Sequence, residues 1–367
     1  RASYGIGGNI GRNTAPYLIA SYYDSSLVDG MAGSVNTPPN KDIRWEKTTT
    51  VNVGVDFALF RHRLSGTIEY YNKYSVDLLA AINGSPTQGF GYTTLMTNNG
   101  KMVNRGVEIT LSGEIIRQKD FSWNASLLYA FNRNKVKHIS VQPSLWDSRI
   151  SMPTSYPMVG KPLYGIYAYK WAGLNENGDP QVYDAENNVT SGPARDYHAL
   201  VYCGTTVPIH NASLTNVLRY KGFEFSAMLI LDAGHKLRSS NIPSINMSNG
   251  RITSTAKGIV DRWTQPGDVT DVPRLLFSND TENFNTHRTE LYRYSDLFVY
   301  DASNIRLSNI SLAYRVPAHW CKKISLSGAR LQFNVENVAT FAFDSKANYD
   351  LGGKVKPNYV WGLYLNF

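Results

Sequence analysis

The chain has 367 residues, of which 42% are hydrophobic and 18% are charged, and its formal net charge is +8. No continuous apolar run approaches the roughly 20 residues that a membrane-spanning helix needs, which excludes a helical membrane protein. Lysine and arginine are scattered and no nucleic-acid-binding motif occurs, so no binding of nucleic acid is expected. A β-barrel has the mean hydropathy of a soluble protein, so the average polarity does not exclude a membrane location.

Aromatic side chains are the strongest compositional signal, with 24 Tyr, 14 Phe and 7 Trp. Tyrosine and tryptophan suit places where one side of the ring meets apolar material and the other meets water. An ordinary β-rich protein would show the same trend more weakly. The composition therefore favours the aromatic girdles of a membrane barrel.

Alternating apolar and polar residues predict antiparallel strands in pairs that are joined by tight turns. The pairs are Val51–Leu59 with Leu64–Tyr70, Val107–Ser112 with Trp123–Phe131, Ser213–Tyr220 with Phe223–Leu231, and Ile305–Tyr314 with Leu326–Val338. A shift of the apolar phase between Leu307 and Ile310 predicts a bulge. Asn358–Phe367 forms a last strand, and two provisional strands lie near Ala2–Asn9 and Tyr17–Tyr23, which gives about eleven in all.

Long polar segments separate the strand pairs, and loops of this length are uncommon in compact soluble domains. They are Ser75–Lys101, Lys137–Asn211, Lys236–Ala302 and Ala339–Pro357. Outer-membrane barrels have short periplasmic turns and long extracellular loops. If the last strand ends in the periplasm, every long segment is extracellular, provided that the strand-like stretch Leu163–Leu174 belongs to a loop. About eleven strands would be half of a barrel of about 22 strands with a plugged lumen.

Short motifs recur in order along nearly the whole chain. They are Arg44–Thr49 with Asn52–Asp56 and Tyr70–Tyr74, Asn98–Glu108, Tyr220–Glu224, Arg262–Thr264 with Pro273 and Arg274, Ser303–Ile310 with Tyr314 and Pro317, and Asn334–Asn337. Together they resemble the SusC/RagA family of TonB-dependent outer-membrane transporters. The terminal Phe367 also resembles the assembly signal of bacterial outer-membrane β-barrels.

The resemblance implies an all-β fold, a transmembrane antiparallel β-barrel of which residues 1–367 form the C-terminal part. The plug domain, the first half of the barrel, the signal peptide and the TonB-contacting segment are then expected outside this sequence. An isolated half-barrel would leave unpaired backbone groups in lipid, each costing several kcal/mol. We therefore expect the chain to be a portion of a longer protein, or a second chain to supply the missing half.

The implied function is TonB-dependent import of an oligosaccharide or peptide across the bacterial outer membrane. The expected partners are a SusD-like lipoprotein lid, the TonB complex acting through the missing plug region, and outer-membrane lipid. Two alternatives are a soluble or surface-attached β-rich glycan-binding protein and a passive porin. The first leaves the alternating lipid-type faces unexplained, and the second does not need the long loops.

Aromatic residues of the long loops are the candidates for substrate binding, because ring faces stack on sugars or pack against peptide side chains. They are Trp146, Tyr156, Tyr164, Tyr167, Tyr169 and Trp171. The same residues could instead hold the large loop together or contact a partner lid, and that interpretation is favoured.

No enzyme, cofactor or metal site is predicted. The common catalytic motifs are missing from the sequence, so no catalytic residue is proposed. Asn175–Asp179 with Asp184 loosely resembles a calcium loop, but it lacks the first aspartate and Pro180 follows Asp179, which favours a solvated turn. Cys203 and Cys321 could pair or stay free, and their spacing does not decide between the two.

Overall fold

The computed structural model describes residues 1–11, 16–24, 26, 29–83, 94–141, 147–192, 194, 196–247, 256–277, 286–351 and 356–367. In these residues ten long strands form one sheet, and the shorter strands form small sheets within the loops. The described helices are short, and none has the length and apolar character needed to cross a membrane.

The strands are numbered in chain order. They are β1 (Ala2–Asn9), β2 (Ile19–Asp24), β3 (Met31–Thr37), β4 (Glu46–Leu59), β5 (Leu64–Asn83), β6 (Thr94–Arg117), β7 (Phe121–His138), β8 (Gly165–Tyr169), β9 (Trp171–Leu174), β10 (Pro180–Tyr183), β11 (Val189–Thr190), β12 (Leu200–Thr205), β13 (His210–Tyr220), β14 (Phe223–Ala233), β15 (Lys236–Arg238), β16 (Asn246–Met247), β17 (Leu276–Phe277), β18 (Val299–Asp301), β19 (Asn304–Arg315), β20 (Gly328–Ala342) and β21 (Asn358–Asn366).

The helices are α1 (Ser148–Ser151), α2 (Thr286–Arg293), α3 (Ala318–Lys322) and α4 (Asn348–Leu351). Short 3₁₀ segments lie at Tyr197–Ala199, Lys257–Asp261, Asp296–Phe298 and Ser345–Ala347.

The large sheet has the order β1-β4-β5-β6-β7-β13-β14-β19-β20-β21, and each pair of neighbours is antiparallel. Tight connections join β4 to β5, β6 to β7 and β13 to β14 at one end of the sheet. In the last of these, Lys221 has a φ of 52° and stands before Gly222, as a two-residue hairpin turn requires. The long connections all leave from the opposite end.

The four predicted strand pairs are confirmed. The prediction that Leu163–Leu174 lies in a loop, outside the large sheet, is confirmed as well. That stretch contains β8, which pairs with β12, and β9, which pairs with β10. The bulge is also confirmed, because the pairing of β19 with β20 shifts between Leu307 and Asn309.

Three predictions about the strands are wrong. Tyr17–Tyr23 is not a wall strand, because β2 pairs with β3 in a separate hairpin; alternation over so few residues is the same in both settings. In the part of the chain that the structure describes, the sheet consequently has ten strands rather than about eleven. The loop Ser75–Lys101 is shorter than predicted, since β5 continues to Asn83 and β6 begins at Thr94.

A second folded unit, here called the loop domain, consists of the described residues in 147–209 and 234–303. One core cluster is built from β8, β10, β12 and α2, and its most buried side chains include Tyr167, Tyr169 and Leu291. A second cluster contains Ile245, Tyr292 and Phe298. Trp171 packs against both clusters and joins them. The loop domain therefore has a hydrophobic core of its own at one end of the sheet.

Candidate functional site

One face of the large sheet is apolar across its width. The paired residues of one row run from β4 to β20 as Val55, Ile68, Ile109, Tyr129, Ala212, Leu231, Ile305 and Phe341. Trp361 of β21, on the same face, is 78% exposed. Successive side chains of a strand point to opposite faces of the sheet, so the observed register puts the apolar residues of all these strands on the same face. Such a face is suited to contact with lipid.

The opposite face is polar and carries charged side chains that are paired across strands. Arg306 of β19 lies 2.9 Å from Asp232 of β14, and Arg1 lies 2.8 Å from Asp56 of β4. A shallow depression of about 350 Å³ lies in this face, lined in part by Thr110, Leu128, Ser213 and Ile230. The polar face is suited to an aqueous or protein-filled interior.

The loop domain buries three of the six aromatic residues predicted to contact substrate. Tyr156, Tyr167 and Tyr169 are buried, the last two to 1% exposure. The Tyr169 hydroxyl donates a hydrogen bond of 2.9 Å to the Ala194 carbonyl, and the Tyr167 hydroxyl accepts one of 3.2 Å from the Met158 N–H. Burial raises the pKa of both hydroxyls above the ordinary tyrosine value. The Tyr167 and Tyr169 rings are part of the hydrophobic core of the loop domain.

Tyr164 and Trp171 are placed differently. Tyr164 is 46% exposed at the surface of the loop domain. Trp171 is partly buried, and its indole N–H donates to the Asp271 carboxylate over 2.9 Å. Trp146 lies outside the described residues. The role of these six aromatic residues in substrate binding stays a prediction, with the Tyr164 ring the most accessible of those described.

An ion-pair node that the sequence did not predict lies beneath the Asn175–Asp179 turn. The Asp179 carboxylate accepts from Arg274 and Arg288, at 2.8 and 3.0 Å, and the Arg288 side chain is 3% exposed. The node ties the β9–β10 turn to α2 and to the segment before β17. Gly178, with a φ of 74°, lies against the Trp263 ring, where a Cβ would clash. The motif residues Trp263 and Arg274 thus both contact the β9–β10 turn.

Asn175 and Asp184 of the calcium-like segment use side-chain oxygen atoms for hydrogen bonds within the protein. Asn175 Oδ1 accepts from the N–H groups of Asn177 and Asp179, at 3.0 and 2.9 Å. Asp184 Oδ1 accepts from the N–H groups of Glu186 and Asn188 in its own turn. Among the described residues no cluster of three His, Cys, Asp or Glu side chains could hold a metal ion.

Two further contacts join the long loops to each other. The partly buried Arg238 guanidinium donates to the carbonyls of Tyr167, Arg293 and Ser295, at 2.7, 3.2 and 3.2 Å. Asp350 of α4 accepts from the hydroxyls of Ser239 and Ser240, both at 2.7 Å. The connection between β20 and β21 is thereby attached to the loop domain.

The two cysteines are free in the structure. Cys321 is buried in α3 at the turn end of the sheet, whereas Cys203 lies in β12 of the loop domain. Burial, with a contribution from the nearby Asp296 carboxylate, raises the pKa of the Cys203 thiol to about 11. A thiol with so high a pKa is a poor nucleophile near neutral pH.

Comparison with known proteins gives consistent results. The family model described as TonB dependent receptor-like, beta-barrel matches residues 1–338. TonB-dependent receptor P3 of Formosa agariphila is 26% identical over 390 residues, which cover 99% of this chain and 37% of that protein. TonB-dependent receptor SusC of Bacteroides thetaiotaomicron is 25% identical over 358 residues, which cover 92% of this chain and 33% of that protein.

A solved structure described as the RagAB peptide transporter has the same fold. Its TM-score is 0.78 at 23% identity, and the match covers 100% of this chain and 40% of that chain. The chain thus spans about a third of the length of the Formosa and Bacteroides receptors. The family model, the strand order and the two unlike faces of the sheet agree, and the chain belongs to the TonB-dependent receptor-like β-barrel family.

Proposed function

We propose that this chain forms about half of the wall of an active importer in the bacterial outer membrane. The importer takes up an oligosaccharide or a peptide and draws its energy from TonB through a plug domain in the rest of the protein. A SusD-like surface lipoprotein closes over its extracellular end. In this proposal the chain has no catalytic role and holds no cofactor or metal.

The observation that carries the proposal is the division of the sheet into an apolar and a polar face. The strands β5 and β6 have 20 and 24 residues, more than the 9–11 or so that cross a bilayer. They therefore extend beyond the membrane on the side of the long loops. This arrangement supports a wall between lipid and an interior, with the loops on the outside.

The loop domain supports the choice of an importer with a lid rather than an open pore. Its hydrophobic clusters and the Asp179, Arg238 and Asp350 contacts hold the long connections as one folded unit. A rigid unit at the mouth of a barrel offers a defined surface to a lipoprotein and to cargo. The exposed Tyr164 and partly buried Trp171 remain the proposed cargo contacts on this unit.

Uptake by cells that express the full-length protein tests the proposal. Cells are given labelled oligosaccharides and peptides, with and without a functional TonB, and with and without a co-expressed SusD-like lipoprotein. We expect accumulation that is lost when TonB is removed. Accumulation that persists without TonB would indicate a passive porin, and recovery of the protein without detergent would indicate the soluble binding protein.

A further inference from the structure

A basic pocket lies on the polar face of the sheet, at the end opposite the loop domain. Its volume is about 150 Å³, and its charged lining comprises Arg219 of β13, Glu224 of β14, Arg315 of β19 and Arg330 of β20, together with Lys221 of the turn. The register puts Arg219 opposite Glu224, and Arg315 opposite Arg330. Four neighbouring strands thus bring their charged residues together at one place.

The pocket contains more positive than negative charge. Glu224 uses one carboxylate oxygen for Arg219, at 2.8 Å, and the other for Arg330, at 3.1 Å. Among the described residues, Arg315 has no carboxylate partner, although it lies directly across from Arg330. Like charges that face each other across two strands are destabilising. Three guanidinium groups and one carboxylate leave the pocket with an excess of about two positive charges.

Lys221 is directed elsewhere, since its ammonium group lies 5.3 Å from the centre of the Tyr220 ring. The same end of the sheet nevertheless carries further cations in its turns and short connections. These are Arg61, Arg63, Lys119, Lys322 and Lys323. The nearby acidic residues are Asp120 of the β6–β7 connection and Glu114 near the end of β6. Because cationic residues outnumber acidic ones at this end of the sheet, the electrostatic potential there attracts anions toward the pocket.

We propose that the basic pocket binds the carboxylates of an acidic polypeptide segment located in the barrel at its turn end. The proposal rests on the proposed function, because it takes the polar face to be the inner surface of the wall. The arginine guanidinium binds carboxylates in a planar, bidentate geometry. The Arg315 guanidinium forms no such pair among the described residues. A lipid headgroup fits less well, because the arginines are on the face opposite the apolar one.

Zero-length crosslinking of the full-length protein in outer-membrane vesicles tests this proposal. Arg315→Lys and Arg330→Lys are made separately, so that one remains if the other fails to assemble. The carbodiimide EDC couples a lysine amine only to a carboxylate in direct contact with it. Arg63→Lys, in the β4–β5 turn, is the matched control.

We expect EDC to join position 315 or 330 to an aspartate or glutamate outside the described sheet, with mass spectrometry identifying the acidic segment. The yield should fall at least fivefold in 1 M salt, because exposed ion pairs are screened. Coupling only to Glu224, an adduct with lipid, or no coupling above the Arg63→Lys control would overturn the proposal.

Charge reversal provides a second measurement. In the double variant Arg315→Glu/Arg330→Glu we expect TonB-dependent uptake to fall at least tenfold, with an unchanged amount of heat-modifiable barrel in the outer membrane. Unchanged uptake would reject the pocket's role. TonB-independent uptake by the unaltered protein would instead reject the importer, so the two failures are distinguishable.

Discussion

Asp179 and Arg288 are 109 residues apart in the chain, yet Oδ1 of the first lies 3.0 Å from Nε of the second. Arg288 also donates to the carbonyl of Arg274, whose own guanidinium binds the same carboxylate. The three side chains fix the β9–β10 turn against α2. Since a buried charge without its partner is strongly unfavourable, the node should control the stability of the loop domain.

Replacing Asp179 tests that control. In Asp179→Asn two arginines lose their shared carboxylate, and we expect the loop domain to be destabilised by about 3 kcal/mol, the loss typical of a broken buried pair. Hydrogen exchange of the loop-domain amides in detergent measures the change in opening free energy. Glu176→Gln, at an exposed position of the same turn, is the control and should leave exchange unchanged. Equal exchange in both variants would show that the node is not stabilising.

Two adjacent residues of β6 test which face of the sheet meets lipid. Ile109 belongs to the apolar row, whereas Thr110 borders the depression in the polar face. We expect Ile109→Arg to destabilise the barrel by about 2–4 kcal/mol, because a charge would enter the hydrocarbon region. Thr110→Arg should have little effect. Urea midpoints of the full-length protein in vesicles measure both, and a reversed order would exchange the two faces.

Tyr167 and Tyr164 separate a structural from a binding role among the loop aromatics. Tyr167 is 1% exposed and its ring lies 5.9 Å from that of Tyr202. We expect Tyr167→Ala to destabilise the loop domain by about 3–5 kcal/mol, as removal of a buried aromatic ring does. Tyr164→Ala should change stability by less than about 0.5 kcal/mol, because that ring is exposed.

The same two variants are then compared in cargo binding by calorimetry. Loss of one stacking contact at Tyr164 should weaken binding by about 1 kcal/mol, or roughly fivefold. Unchanged affinity in Tyr164→Ala would remove this residue from the cargo surface and leave the loop aromatics with a purely structural role.

The thiol of Cys203 should titrate far above neutral pH. With a pKa of about 11 instead of 9.0, its thiolate fraction at pH 8 is about 100-fold lower than that of an ordinary thiol. In a Cys321→Ser background, the rate of alkylation by iodoacetamide should therefore reach half of its maximum near pH 11. The same chain unfolded in urea is the control, with its half-maximum near pH 9. A half-maximum near pH 9 in the folded protein would contradict the assigned burial.

The large sheet was predictable from the sequence because the alternation of apolar and polar residues that defines each strand is a local pattern. A period of two over eight or more residues fixes both strand and face, as in Val51–Leu59, and tight turns such as Lys221-Gly222 fix the pairing. Length was the limiting factor at Tyr17–Tyr23, where the same alternation belongs to a separate hairpin.

The loop domain was less predictable, since its contacts join distant parts of the chain. Tyr167 and Tyr164 are residues of the same type, three positions apart, yet Tyr167 is buried and Tyr164 is exposed. Asp179 was visible in a calcium-like turn, but its partners lie 95 and 109 residues further on. Of the two partners, only Arg274 belonged to a motif recognised in the sequence, and its pairing with Asp179 could not be inferred from the spacing of the two residues.

The separate core of the loop domain has an evolutionary consequence. Among the described residues, Tyr169, Leu291 and Tyr292 belong to clusters made of loop-domain side chains, so changes in this core need not alter the register of β13, β14 and β19. Insertions or exchanges between β7 and β13, or between β14 and β19, can therefore diversify the outer surface on an unaltered wall. One inherited wall can in this way carry different outward-facing segments.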